Sequence, residues 1–232
     1  MVDGACSGPE YSGFEAAYAG EALRQGLEGV PWNIGEPQPP VARLIEDGQV
    51  RGRVLDAGCG VGETSLRLAE LGFDVLGVDS APSAVRQARE AAAERKVPAH
   101  FELADVTRLS GYDGRFDTVI DSTLFHSLPV GSREEYLASI ARAAAPGAVL
   151  HVLVFADTAR FPGGEGPNAV TEGELREAVG RFWTVDRVVP SRITALIPEK
   201  LVPDGERDEH GRLLMDAFLL TAHLPGTPHP AS

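Results

Sequence analysis

Between Val54 and Glu63 the chain reads VLDAGCGVGE, and no other ten residues restrict its folding more. An apolar run of strand length ends there on Gly58, Gly60 and Gly62, and the helical pattern of "VGETSLRLAELGF" follows at once. Glycines at this spacing let the backbone turn sharply from strand into helix and let a ligand approach the main chain without interference from side chains. The spacing is GxGxG. A dinucleotide fingerprint begun at Gly58 requires glycine at position 63, where this chain has Glu63. Asp56, two residues ahead of the first glycine, suits a ligand carrying positive charge and would repel a pyrophosphate. Taken alone, the loop is also compatible with a plain tight turn.

What surrounds the loop narrows the fold. From Arg51 onward short apolar runs alternate with helical patterns: "RVLDAG", "DVLGVD", "HFELAD", "FDTVIDS" and "GAVLHVLVFAD" read as strands. "SAPSAVRQAREAAAERK" reads as a helix with Ser80 placed to cap it and Pro82 in its first turn, and "SREEYLASIARAAA" as a longer one. This alternation implies a Rossmann-like α/β fold, a parallel sheet with helices on both faces. The last third changes character. A helix, "ELREAVGRF", is followed by "TVDRVVPSRITALI" and "LLMDAFLLTAHL", two strands that close the sheet, the last expected antiparallel. Ahead of the core, "FEAAYAGEALRQG" reads as a helix carrying Phe14, Tyr18 and Leu23, "VPWNIGEPQPP" as a proline-held loop, and "PVARLIEDG" as a short helix. The expected organisation is a single domain: a cover over residues 1–50, a core over 51–225, and a frayed tail over 226–232.

Charge removes several classes of partner. With 34 acidic and 21 basic side chains among 232 residues the net charge is −13, which argues against nucleic acid and against anionic membrane surfaces. No apolar stretch approaches the roughly 18 residues of a membrane span. Cys6 and Cys59 build neither a disulfide framework nor a zinc site, and the first residues lack a leader pattern. The expectation is a cytoplasmic protein with a small-molecule partner; the sequence implies no particular oligomer.

Two more carboxylates stand at strand ends, where open α/β sheets bind ligands. Asp79 closes "GVDS" and can accept both hydroxyls of a ribose; Asp105 closes the third strand, within reach of an adenine amino group. Either could instead be a strand-end cap. The ordered set VLDAGCGVGE, GVDSAPSAV, ADV and FDTVIDSTLFHSL resembles the class I S-adenosylmethionine-dependent methyltransferases over about residues 50–155. The N-terminal segment, with its PWxIGxPQP loop, is similar to a bacterial small-molecule branch related to the thiopurine and thiol methyltransferases. The whole chain resembles the mycobacterial methyltransferases that modify phenolic, quinone-like and hydroxyquinolone heterocycles.

The resemblance implies a seven-stranded sheet with its final strand antiparallel and S-adenosyl-L-methionine as cofactor, S-adenosyl-L-homocysteine being the product. It places Gly58, Cys59 and Gly60 against the methionine portion, Asp79 with Ser80 at the ribose, Asp105 and Val106 around the adenine, and Tyr18 and Trp32 over the cofactor with Gly35 and Gln38 nearby. Tyr18 and Trp32 are equally readable as core aromatics under the cover. Asp121 is a candidate catalytic residue and a candidate contact for the methionine amine or the substrate. Phe125, His126, Phe161 and Arg192 are candidate substrate contacts. His126, after the fourth strand, is read either as the base that deprotonates the acceptor or as a structural histidine bonded to backbone. The segment "DSTL" lacks the further ligands of metal-using catechol methyltransferases and the Asn/Asp-Pro-Pro-aromatic run of nucleic-acid methyltransferases, so no metal is expected. The expected reaction is methylation of an O or N atom of an aromatic or heterocyclic acceptor; the alternative is S-methylation of thiols. Gly163 and Gly164 suggest either a movable flap or an ordinary loop.

Overall fold

The computed structural model describes residues 15–21, 29–162 and 166–226. Its strands are β1 (Val54–Ala57), β2 (Val75–Asp79), β3 (His100–Leu103), β4 (Phe116–Ser122), β5 (Ala144–Phe155), β6 (Thr184–Ala195) and β7 (Leu213–His223). They form one sheet in the order β3-β2-β1-β4-β5-β7-β6. The pairs from β3 to β5 are all parallel, and β7 runs antiparallel to both neighbours, β5 and β6. The helices are α1 (Pro39–Glu46), α2 (Glu63–Glu70), α3 (Pro82–Arg95), α4 (Arg133–Ala143) and α5 (Glu172–Gly180).

Every residue of β1 is buried, as a central strand covered on both faces requires. Alternation along the strands sends apolar residues to both faces of the sheet, and a third, smaller cluster joins Leu66, Val85, Ala88, Ala92 and Phe101. Leu55, Val119 and Leu150 pack with Tyr136, Leu137 and Ile140 of α4. Val54, Ile120 and Leu153 pack with Val41 of α1, Leu68 of α2 and Ile193 of β6. Among the described residues no helix is long and apolar enough to cross a membrane.

The N-terminal helix expected over residues 14–26 is described only from 15 to 21, where it passes into a π-helical turn, Ala17–Glu21; Phe14 and Leu23 lie outside the described residues. Ser80 does not cap α3. The N-cap position is Ala81, whose N–H is taken by Asp79 (2.9 Å), and the acceptor at the helix end comes from the cover: Glu15 accepts from the Ser83 N–H at 2.9 Å and its hydroxyl at 2.6 Å. The other half of the cover is tied to β6. The Leu196 N–H donates to the Pro31 carbonyl (2.7 Å). The Gln38 amide donates to the Thr194 carbonyl (2.9 Å) and accepts from its N–H (2.8 Å), as a neighbouring strand would. The last tail residues, 227–232, lie outside the described residues.

Candidate active site

A cavity of about 600 Å³ runs along the carboxyl edge of the parallel strands, within the ~300–1,000 Å³ usual for small-molecule sites. Strand order sets its chemistry. Asp105 and Val106 line it after β3, Asp79 and Ser80 after β2, and Asp56 with Gly58 to Gly60 after β1. Ser122 to Leu124 and His126 follow at β4, Phe155 and Phe161 at β5, then Met215 of β7, Ile193 and Ala195 of β6, and Ile197 just after it. One end is therefore rich in carboxylates and the other apolar. No Lys or Arg lines the cavity among the described residues.

At the acidic end Gly58 and Gly60 have φ of +69° and +55°, a left-handed backbone that side chains rarely adopt. A Cβ on Gly60 would stand 2.7 Å from the Tyr18 hydroxyl oxygen. Asp79 holds the loop by accepting from the Gly60 N–H at 2.8 Å. Burial raises its pKa, and the bonds from Ala81, Gly60 and Ser80 only partly offset this. Asp56 is buried beneath the glycines and accepts from the Ser65 hydroxyl (2.6 Å); desolvation pushes its pKa up to about 6. Asp105 caps a short 3₁₀ turn, accepting from the Thr107 N–H (2.9 Å) and hydroxyl (2.7 Å). Cys59 is partly buried, and desolvation first, then Asp79 and Asp56, raises its thiol pKa, which suits packing rather than nucleophilic chemistry. Tyr18 accepts from the Trp32 indole N–H at 2.9 Å, with the rings edge to face, and both side chains line the cavity.

At the middle of the edge the structure separates residues grouped by the sequence reading. Asp121 is fully buried and does not line the cavity. One oxygen accepts from the Leu124 and Phe125 N–H groups (2.9 and 3.2 Å), the other from the Tyr136 hydroxyl (2.7 Å). With these bonds it braces the turn after β4. Phe125 points into the core, packed beside Tyr136 with the Arg133 guanidinium 4.7 Å from its ring centre. Its neighbour His126 lines the cavity, stacked on Phe155 at 4.4 Å, and its Nδ1 accepts from the Phe155 N–H at 3.1 Å. Arg192 does not line the cavity. It pairs with Glu206 (3.0 Å) and Asp216 on the outer face of the β6–β7 hairpin, while Ile193, next along the strand, faces inward. Gly35 does not reach the cavity; at φ +76° it turns the loop, its N–H donating to the Asn33 side chain (3.2 Å). Phe161 does line it, edge to face with Phe155. Gly163 and Gly164 lie outside the described residues.

Phe155, Met215 and Leu201 were missed by the sequence reading. Phe155 ends β5 and was findable by the strand-end rule used for Asp79. Met215 was hidden because β7 is antiparallel, so its beginning, not its end, lies at the ligand edge.

The residues fit S-adenosylmethionine: a cavity lined by carboxylates, with no Lys or Arg among the described residues, suits a cationic ligand, and the glycine backbone leaves room for close approach. A family model described as a methyltransferase domain matches residues 54–147, and the chain belongs to the S-adenosylmethionine-dependent methyltransferases. Within the family it is 53% identical, over 183 residues, to the 2-heptyl-1-hydroxyquinolin-4(1H)-one methyltransferase of Mycobacteroides abscessus, an alignment covering 78% of this chain and 81% of that one. A structure solved for work on the conversion of a disulfide bond into a thioacetal group during echinomycin biosynthesis is 34% identical, with a TM-score of 0.78 and 92% of each chain covered. The same fold, at 21% identity and a TM-score of 0.63, is found in the Burkholderia thailandensis 1,6-didemethyltoxoflavin-N1-methyltransferase, solved with its heterocycle and S-adenosylhomocysteine; 97% of this chain and 93% of that one are covered. The protein is an enzyme with S-adenosyl-L-methionine as its cofactor.

Proposed function

We propose that the enzyme methylates an O or N atom of a small aromatic or heterocyclic acceptor of phenol, quinone-like or hydroxyquinolone type. The observation that carries this reading is the apolar chamber beside His126, walled by Phe155, Phe161, Ile193 and Met215. Its aromatic walls suit a flat ring, and the 53% identical relative acts on a hydroxyquinolone.

Bound S-adenosylmethionine supplies an activated methyl group on a sulfonium. The chain's own residues bind, orient and exclude water. In this reading Gly58, Cys59 and Gly60 hold the methionine portion, with Asp56 facing its positive charge. Asp79 and Ser80 hold the ribose, Asp105 and Val106 the adenine, and Tyr18 and Trp32 close over the site as part of the 1–50 cover of a single domain. The reaction is read as cytoplasmic and independent of metal ions, with a freely diffusing acceptor; among the described residues no three His, Cys, Asp or Glu side chains group as metal ligands. A second reading, S-methylation, is favoured by the 34% identical structure, whose subject is sulfur chemistry.

The test is turnover of S-adenosylmethionine against phenols, hydroxyquinolones, N-heterocycles and thiols, with and without chelator. Methylated phenol or hydroxyquinolone, formed equally with chelator, is expected; product from thiols alone would replace the reading with the second one. A pH dependence of binding is also expected. With its pKa at about 6, Asp56 is neutral in more acid solution and loses its attraction for a cation. Affinity for S-adenosylhomocysteine, whose ammonium carries the charge, should rise with pH through about 6 and then level off. In Asp56→Asn the step should vanish from calorimetric titrations; an unchanged step would remove Asp56 from this role.

A further inference from the structure

β4 ends at Ser122, but β5 runs on to Phe155, so the Phe155 N–H faces a track that its neighbour strand has left. His126 fills that place: its Nδ1 accepts the orphaned N–H at 3.1 Å, and its own carbonyl accepts from Asn168 (3.0 Å). A ring nitrogen that accepts from a fixed backbone donor carries no proton, so the proton of this imidazole is on Nε2. The ring is buried and lines the cavity between the acidic and apolar ends. Taking up a second proton would require one at Nδ1, against the Phe155 N–H. Burial and the Arg133 charge oppose it as well, holding the pKa down at about 3. Toward the cavity, His126 can donate but cannot act as a base.

No other described side chain on the apolar side takes that part. Glu36, on the cover, is engaged by Arg212 at 2.6 Å, and Asp121 is consumed by Tyr136 and two backbone amides. Asp56, Asp79 and Asp105 stand at the cofactor end, and the Tyr18 hydroxyl and the Cys59 thiol are held protonated, chiefly by burial. Glu63, beside the glycine loop, is engaged by Arg95 at 2.8 Å; with it and the Arg133 charge behind the turn, these are the described titratable groups around the histidine and its cavity.

We propose that His126 is a fixed hydrogen-bond donor, and that the acceptor is an aromatic or heteroaromatic hydroxyl compound acidic enough to bind as its oxyanion, with that oxygen on the His126 Nε2–H. The inference rests on the heterocycle reading above and specifies the charge state of its substrate. The hydroxyl proton goes to solvent before binding. In the transfer an oxygen lone pair forms the bond to the methyl carbon, and the carbon–sulfur bond breaks with its pair remaining on sulfur. The negative and positive charges cancel, and no proton moves inside the site.

The test is the pH profile of kcat/KM for 1-hydroxyquinolin-4(1H)-one and a series of para-substituted phenols of graded acidity. The inflection should move from compound to compound with each acceptor's own ionisation. In His126→Gln, which keeps an amide donor but no basic nitrogen, the inflections should stay in place with much of the activity retained. In His126→Ala, kcat/KM should fall about 10–100-fold, the worth of one charge-assisted hydrogen bond, with the inflections still tied to the acceptor. An inflection that stays fixed across acceptors in the wild-type enzyme, or a glutamine variant as inactive as the alanine one, would overturn the inference alone. Turnover of thiols but of none of these hydroxyl compounds would instead overturn the reading on which it rests.

Discussion

Asp121→Ala should lower folding stability by about 3 kcal/mol or more, the cost of leaving three buried donors without their acceptor. For a chain of this length that is a fall of roughly 6–12 °C in Tm, measurable by calorimetry. Asp121→Asn, which still offers a carbonyl to the two amides and an amide group to Tyr136, should lose far less. The pair also carries a pH signature. Burial raises the Asp121 pKa to about 7, against an unfolded value of 3.8, so across that window the folded chain holds a proton that the unfolded chain releases. This contribution therefore declines as pH rises from about 4 to 7 and is weakest above it. The wild type's advantage over Asp121→Asn should shrink over that range by roughly 1 kcal/mol or more. If Asp121→Ala instead left Tm unchanged while abolishing S-adenosylhomocysteine binding, the carboxylate would be a ligand contact and its assignment as a brace would be wrong.

The position of Asp121 illustrates which parts of this molecule can be read from residue order. The glycine loop, the strand-helix alternation and the antiparallel final strand follow from local constraints: backbone freedom, apolar period and the rule for parallel crossovers. The acidic end of the cavity follows too, because Asp79 and Asp105 stand at parallel strand ends, where topology alone directs them to the edge. Residue order does not say which way a side chain turns once a strand has ended. Asp121, Phe125 and His126 lie within six residues, yet two face the core and one the cavity, because the chain coils through a 3₁₀ turn after Leu124. Along β6 the same uncertainty is one of phase. Alternation sends Ile193 inward and Arg192 out to Asp216, and the phase is set by pairing with β7, not by anything near Arg192 in sequence.

Contacts across long separations were equally hidden. Gln38 stands in for a strand beside Thr194, 156 residues later, and Glu15 caps a helix that begins at Pro82. Both bonds fasten the cover to opposite ends of the site, one at the cofactor side and one at the substrate hairpin. The cover is thus read from the sequence as a segment of the right composition, but its anchoring depends on partners that only folding brings together.

Asp79→Asn tests the cofactor end, and its two consequences should run in different directions. In the proposed reading the ribose diol would lose a charged acceptor, and two charge-assisted hydrogen bonds at about 1.5–3 kcal/mol each amount to a loss of at least 100-fold in affinity. The Gly60 N–H also loses a carboxylate partner, so the loop that faces the ligand is held less firmly. The unliganded protein, however, is relieved of a partly buried charge whose pKa desolvation already raises. Its Tm should therefore change little, or rise, while calorimetry shows S-adenosylhomocysteine binding falling by two orders of magnitude. Affinity retained within fivefold would mean that the carboxylate serves the loop alone. A collapse of Tm together with affinity would mean that the loss is one of folding, and that stability and cofactor recognition are not separable at this position.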